Sequence, residues 1–165
     1  MAYSLYLRIP GIPGGCSDEH HKDWIEIASF SQGVARMGED SLSELHHDFS
    51  ISKTVDRASP LLGQACAEGW KVREVALEVC RADGARAPFM TIRLWDVHLV
   101  HYQVSGAAAF GDPTAAPFES LGFRYGKVEW HVEPQALRPG LPEAARAVHG
   151  SWTSDAYEEQ PTRKC

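Results

Sequence analysis

Most of the chain alternates apolar and polar residues with a period of two, the signature of strands that bury one face. In residues 2–9, Tyr3, Leu5, Leu7 and Ile9 share one side and Ser4, Tyr6 and Arg8 the other. Residues 22–31 set Ile25, Ile27, Ser29 and Ser31 against Trp24, Glu26, Ala28 and Phe30. Residues 45–53 set Leu45, His47, Phe49 and Ile51 against His46, Asp48, Ser50 and Ser52. Residues 71–81 read as a strand with Val75, Leu77 and Val79 on one face. Asp83-Gly84 is a hairpin-turn signal, and residues 89–96 and 97–105 follow as two more strands. Residues 118–133 switch apolar parity at Gly126, from Leu121, Phe123 and Tyr125 to Val128, Trp130 and Val132. A bulge or corner there keeps both halves facing the core. In the tail, residues 147–153 (AVHGSWT) predict one further strand.

The exception to this period lies in residues 53–69, KTVDRASPLLGQACAEG, which predict a short helix at about 59–68. Ser59 is the expected N-cap, and Pro60 sits where a missing N–H costs nothing. Asp56 lies near the positive end of the helix dipole, and Gly69 is the expected left-handed terminator. Leu61, Leu62, Ala65 and Cys66 form an apolar stripe, with Gln64 and Glu68 turned away. Such a helix is too short to stand alone in water and must dock on the strands. Residues 10–18, rich in Gly and Pro, and the aperiodic residues 33–44 and 106–117 read as loops. The elements together predict a mainly β fold, an antiparallel barrel or sandwich with one short helix on its flank.

Length and composition fit one folded domain: 165 residues, 44% hydrophobic and 23% charged. Sixteen basic against 22 acidic side chains give a net charge of −6. With no basic face to neutralise phosphates, a nucleic-acid role is disfavoured. No apolar run is long enough to span a membrane. Arg8, Pro10 and Gly11 interrupt the N-terminal apolar stretch, so no cleaved secretory leader is expected.

The four cysteines, Cys16, Cys66, Cys80 and Cys165, form no CxxC pair. Cys66 is expected to pack as a small hydrophobe, and Cys16 and Cys165 to be exposed thiols suited to a reducing compartment. Adjacent His46 and His47 point to opposite faces of a strand, as do His98 and His101, so neither pair suits one metal ion. His20 and His21, with Asp18, Glu19 and Asp23 close by, read as solvated loop residues rather than a metal site. A nucleophile pair of Cys80 with His98 or His101 is disfavoured, because nothing electropositive near Cys80 would lower its pKa. No GxSxG, HExxH, Walker or GxGxxG pattern is present. The residues therefore offer no catalytic, cofactor-binding or metal-binding group, and no cofactor is expected.

Several segments resemble, in order, the haemolysin-coregulated protein (Hcp) family of bacterial type VI secretion. LYLRIPGI is similar to its opening strand, and IEIASFSQGVAR to its second. DFSISKTVDRASPLLGQACAEGWKVREVAL resembles its strand–helix–strand signature and is the most specific piece. TIRLWDVHLVHYQVSG and ESLGFRYGKVEWHVEPQ resemble the last core strands. The resemblance covers residues 1–135, expected as a β-barrel domain, leaving 136–165 as a C-terminal tail. It implies an antiparallel β-barrel flanked by one short helix. Six copies would form a ring, and rings would stack into a tube ejected by a contracting sheath. The tube would carry effectors in its lumen or on a tip protein. The implied partners are other copies of the chain, sheath and tip proteins and effectors, with no nucleic acid and no membrane insertion. The implied location is the bacterial cytoplasm during assembly and the exterior afterwards.

On that assembly, Ser29 or Ser31 is expected at or near the lumen. The loop around Met37, Gly38, Glu39, Asp40, Ser41, Leu42 and Ser43 is expected to make ring-to-ring contacts. Two other readings compete: a monomeric carrier or chaperone of an effector, and a secreted enzyme or toxin. A tail of about 30 residues is too short for an independent catalytic domain.

Overall fold

The computed structural model describes residues 2–36, 38, 44–82, 87–108, 111–112, 115–133 and 148–153. Among them, eleven strands and one helix form: β1 (Tyr3–Arg8), β2 (Ile25–Ile27), β3 (Ser29–Ser31), β4 (Val34–Arg36), β5 (Glu44–His46), β6 (Phe49–Thr54), α1 (Ser59–Glu68), β7 (Lys71–Arg81), β8 (Pro88–Ser105), β9 (Phe118–Arg124), β10 (Lys127–Val132) and β11 (Val148–Thr153). The main sheet is antiparallel with strand order β2-β1-β7-β8-β9-β6-β3. Its two end strands are halves of one stretch, separated by Ala28, whose N–H donates to the Ser52 carbonyl at 2.8 Å. The sheet thus curls round until a single kinked strand spans both ends, which is the barrel expected from the sequence. β10 pairs the first half of β8, and β11 pairs β10 beyond it. The expected tail strand is therefore formed, at 148–153.

The inward faces build one core in which Leu7, Ile25, Phe49, Leu77, Ile92 and Phe123 are almost fully buried. The parity switch near Gly126 is present as the break between β9 and β10. Residues 97–105 do not form a separate strand. They continue 88–96 as the 18-residue β8. Asp96 takes a left-handed backbone, φ 52°, and lets the strand bend without ending. Residues 33–44 also depart from expectation. They contain β4 and, at their end, the start of β5, paired through Val34↔His46 and Arg36↔Glu44. The expected Asp83-Gly84 turn falls outside the described residues.

The second strand differs most from its sequence pattern. Ile25 and Ile27 are buried, yet beyond Ala28 the inward residue is Phe30, and Ser29 and Ser31 are exposed. The parity reverses because the chain leaves its partner β1 and crosses to β6 at Ala28.

α1 spans the expected residues, and Gly69 (φ 67°) ends it, with the Trp70 N–H donating to the Ala65 carbonyl at 2.9 Å. Its N-cap is Ala58, not Ser59, and no side chain caps it. Ser59 is instead buried and belongs to a polar network beneath the helix. Leu62 and Ala65 enter the core, while Leu61 and Cys66 are half-buried against it, so the apolar stripe is narrower than expected.

The network centres on Lys53, which is 0% exposed and shares the inward parity of Phe49 and Ile51. Its Nζ donates to Glu119 Oε1 (2.6 Å), Asp56 Oδ1 (2.8 Å) and the Thr54 carbonyl (2.8 Å). Three partners saturate an ammonium group. Glu119, paired directly across from Lys53 on β9, also accepts from the Ser59 hydroxyl at 3.0 Å and the Tyr102 hydroxyl at 2.8 Å. Asp56 Oδ1 accepts the Ala58 N–H, and the Asp56 N–H donates to Ser59 Oγ, both at 2.9 Å. The entry to α1 is thereby tied to β6, β8 and β9. Burial, and then the Glu119 carboxylate, push the Tyr102 hydroxyl pKa up to about 12.

Removing one member of such a pair leaves a buried charge without compensation. Lys53→Met should lower stability by about 3–5 kcal/mol, read as a fall in urea midpoint at constant slope. The double variant Lys53→Met/Glu119→Leu should recover much of that loss. Equal loss in both would show that the charges do not act as a pair. Tyr102 is an acid whose folded pKa lies above its unfolded value, so the unfolded chain releases its proton first as pH rises. Its contribution is complete below pH about 10 and is lost as pH approaches about 12. Tyr102→Phe should flatten the fall in thermal midpoint over that interval.

Candidate functional site

The parity reversal at Ala28 brings a set of small hydroxyl side chains onto the outer face of the barrel. Ser29 of β3 lies opposite Ser52 of β6, which lies opposite Ser120 of β9 and then Gln103 of β8. The next outward row runs Ser31, Ser50, Gly122 and His101 across the same four strands. The Ser29 and Ser52 hydroxyls hydrogen-bond to each other. Ser29, Ser31 and Ser50 are exposed, and Ser52 and Ser120 half-buried. Across β3, β6 and β9 these rows hold serines and one glycine and no charge. At Gly122 a Cβ would come within 3.2 Å of the His101 Cβ, so glycine allows the close passage of β8 and β9 beside its bulge. The result is a smooth, neutral, hydroxyl-covered patch, bounded on β9 by outward Phe118 and Arg124. Such a face makes weak hydrogen bonds to almost any chain, and its short side chains lose little rotamer freedom when another surface comes against it.

Of the expected ring-contact residues, Gly38 is described: it lies exposed in a bend with φ 80°. Met37, Glu39, Asp40, Ser41, Leu42 and Ser43 lie outside the described residues. The strands that lead into this loop, β4 and β5, form a separate two-stranded arm. The arm exposes Val34 and Leu45 on its two opposite faces.

The histidines and cysteines are arranged differently from expectation. His20 is exposed, but His21 is 1% exposed, not a solvated loop residue. Its Nδ1 lies 3.1 Å from Asp18 Oδ1 and its Nε2 2.8 Å from Glu78 Oε2. The ring stacks on Tyr6 at 4.0 Å between centroids and meets Trp24 edge-on at 5.0 Å. Cys16 is buried with Tyr6 and Cys80 in a second small core, rather than exposed. The histidine beside Cys80 is His21, with Sγ 3.8 Å from Nε2, and neither His98 nor His101. Burial, and secondarily Glu78, push the Cys80 thiol up to about 11. That is the opposite of what a nucleophile needs.

Residues 6–132 match the family model described as "Type VI secretion system effector, Hcp". The chain belongs to the Hcp family. Its fold is similar to that of a structure titled as a type six secretion system protein (25% identity, 92% of this chain and 96% of that chain, TM-score 0.77). It is also similar to Hcp1 from Salmonella typhimurium (21% identity, 93% and 95% coverage, TM-score 0.76) and to the secreted protein Hcp3 from Pseudomonas aeruginosa (21%, 93% and 99%, 0.68). No curated protein matches the sequence. Among the described residues of this Hcp-family chain, no helix is long and apolar enough to cross a membrane.

With its thiol at about 11, Cys80 carries about a hundred-fold less thiolate at neutral pH than at the reference value of 9.0. In buffer containing a chelator, iodoacetamide should label native Cys80 slower than a free thiol by at least that factor, and at the ordinary rate in urea. Fast labelling of Cys80 in the native protein, located by peptide mass, would contradict this placement.

Proposed function

We propose that this chain is a structural subunit of the type VI secretion inner tube. In this reading six copies close into a ring, rings stack, and the assembled tube is exported with effectors. The observation that carries the reading is the family match over residues 6–132, on a fold shared with Hcp structures along almost the whole of each chain. The family is one of tube proteins, and the role assigned to this chain is assembly, not catalysis.

A ring needs a head-to-tail interface in which one patch meets a different patch on the next copy. The serine face is the part best suited to the bore. A neutral hydroxyl wall holds water and binds no single cargo tightly, so a polypeptide can enter and later leave. Ser29 and Ser31 are accordingly assigned to the lumen. The β4–β5 arm is assigned to ring stacking, together with residues 37–43, which join its two strands in sequence. An isolated two-stranded hairpin is marginal in water, and exposed apolar side chains on both its faces call for cover. The residues 1–135 barrel would supply this scaffold, and the tail adds β11 to its edge. Sheath and tip proteins and lumenal effectors are the partners this assembly would meet.

A monomeric effector carrier has no need of that arm, and particle size separates the two readings. Purified protein should show six-fold rings with a central hole in negative stain and a hexamer mass by light scattering. A strict monomer at micromolar concentration would overturn the tube assignment. Deleting residues 38–41 should leave rings intact and abolish tubes; normal tubes would refute the stacking role. Ser31 is exposed, so Ser31→Trp should change monomer stability by no more than about 0.5 kcal/mol. It should preserve the hexamer mass and reduce effector co-purification several-fold. Unchanged co-purification would place Ser31 away from the cargo.

A further inference from the structure

Glu78 and Cys80 are two residues apart on β7 and so project to the same, outer side of the sheet. The loop at residues 14–24 folds back over that side. It is held by backbone hydrogen bonds from the Cys16 N–H to the Trp24 carbonyl (3.1 Å) and from the Asp23 N–H to the Cys16 carbonyl (3.0 Å). Gly14 makes the fold-back possible, because a Cβ there would lie 2.1 Å from the Trp24 carbonyl oxygen. The loop delivers His21 onto the Tyr6 ring, with Nε2 facing both Glu78 and Cys80.

The proton inventory of this cluster is unusual. An imidazole that donates its Nδ1–H to Asp18 presents a lone pair at Nε2. That lone pair faces the Glu78 Oε2 acceptor at 2.8 Å, so a positive species, either a proton or a metal ion, has to sit between them. The Cys80 sulfur, 3.8 Å from the same nitrogen, adds a third donor of a kind that favours a transition metal over magnesium or calcium. The three donor atoms all lie within 4.8 Å of one another. Around a tetrahedral zinc ion, donors bonded at roughly 2.0–2.3 Å lie roughly 3.3–3.7 Å apart. The nitrogen–sulfur separation of 3.8 Å lies just beyond that range and has to close by only about a tenth of an ångström. The nitrogen–oxygen gap must open by about half an ångström, and the Glu78 side chain, 24% exposed, has room to swing.

We propose that His21 Nε2, Glu78 and Cys80 Sγ form a binding site for a divalent transition-metal ion of the zinc type. Asp18 is its positioning residue, fixing the histidine tautomer from behind in the carboxylate–histidine–metal arrangement. Water completes the coordination from the open side of Glu78. On binding, the Cys80 sulfur forms a bond to the ion and its proton leaves to solvent. The bound ion bridges the loop at residues 14–24 to β7. It thereby clamps the outer layer of the barrel on the side away from the serine face.

The test uses the full chain carrying Cys66→Ser and Cys165→Ser, freed of metal with a chelator and titrated with cobalt(II). One equivalent should give a sulfur-to-cobalt charge-transfer band in the near ultraviolet, with visible bands of tetrahedral intensity. Zinc should bleach both by competition. Cys80→Ser should abolish the charge-transfer band, whereas Cys16→Ser should keep it. Asp18→Asn should weaken cobalt affinity about 10–100-fold and leave the band's position unchanged. If Cys80→Ser does not fold, His21→Gln and Glu78→Gln decide. Zinc should raise the melting temperature of the parent protein, and each of these variants should lose that rise. Absence of the band in the folded parent, or a band and zinc shift indifferent to His21, Glu78 and Cys80, would overturn the site.

Discussion

The buried contact between Lys53 and Glu119 is the constraint on which the arrangement of this barrel rests. Two opposite charges face each other across neighbouring strands, on the inward side, with essentially no exposure. Burial of such a pair is tolerated when every remaining proton and lone pair finds a partner. Thr54, Asp56, Ser59 and Tyr102 supply those partners, and they come from two strands, β6 and β8, and the helix entry. An apolar replacement could fill the same volume, but it would not require one particular register of β6 against β9. The charge pair does require it, because a slip of one residue would turn Lys53 outward and leave Glu119 alone in the core. The same network seats Ser59 beneath the helix. This explains why α1 begins without a side-chain cap: its serine is used for tertiary attachment.

Register then determines what the outside of the barrel looks like. With Lys53 and Glu119 inward, Ser52 and Ser120 must point outward on the same two strands, and Ser50 and Gly122 with them. The crossing at Ala28 adds Ser29 and Ser31 to those rows. One buried ion pair and one strand crossing thus produce a continuous hydroxyl face that no single segment of sequence displays. On the other side of the barrel the outer face of β1 and β7 is covered by the loop at residues 14–24. Tyr6 and Cys80, on the polar parity of their strands, are consequently buried.

Much of this was legible from period alone. The alternation of apolar residues locates most of the strands, and Pro60 and Gly69 bracket the helix. The order of segments also identifies the family that the match over residues 6–132 shows. The misplaced details have local causes. Ser59 looks like a cap because capping serines and network serines precede a helix in the same way. Lys53 carried a usable signal, since it falls on the parity of Phe49 and Ile51, as Glu119 falls on that of Leu121 and Phe123. The parity switch at Ala28 leaves little trace, because a small residue fits either face and the change of partner strand is a tertiary event. His21 and Cys80 are 59 residues apart, and their approach depends on a fold-back that only Gly14 betrays.

These features divide the barrel into parts with different physical duties. The core and its ion pair hold register, which a subunit of the proposed tube would have to keep while neighbours load it from two directions. The two serine rows carry no charge and no bulky side chain on β3, β6 and β9, with Phe118 and Arg124 outward only at the ends of β9, so in the proposed tube they would favour passage over capture. The β4–β5 arm shows the reverse chemistry: apolar residues on both faces and little of its own to pack against. A solitary barrel would gain nothing from leaving Val34 and Leu45 in water. In the proposed tube the arm would gain contact area where it meets the next copy, and the cost of ordering it would be met at that moment. The contrast between a slippery face and a sticky arm on one rigid frame is what the proposed stacking around an open bore would require.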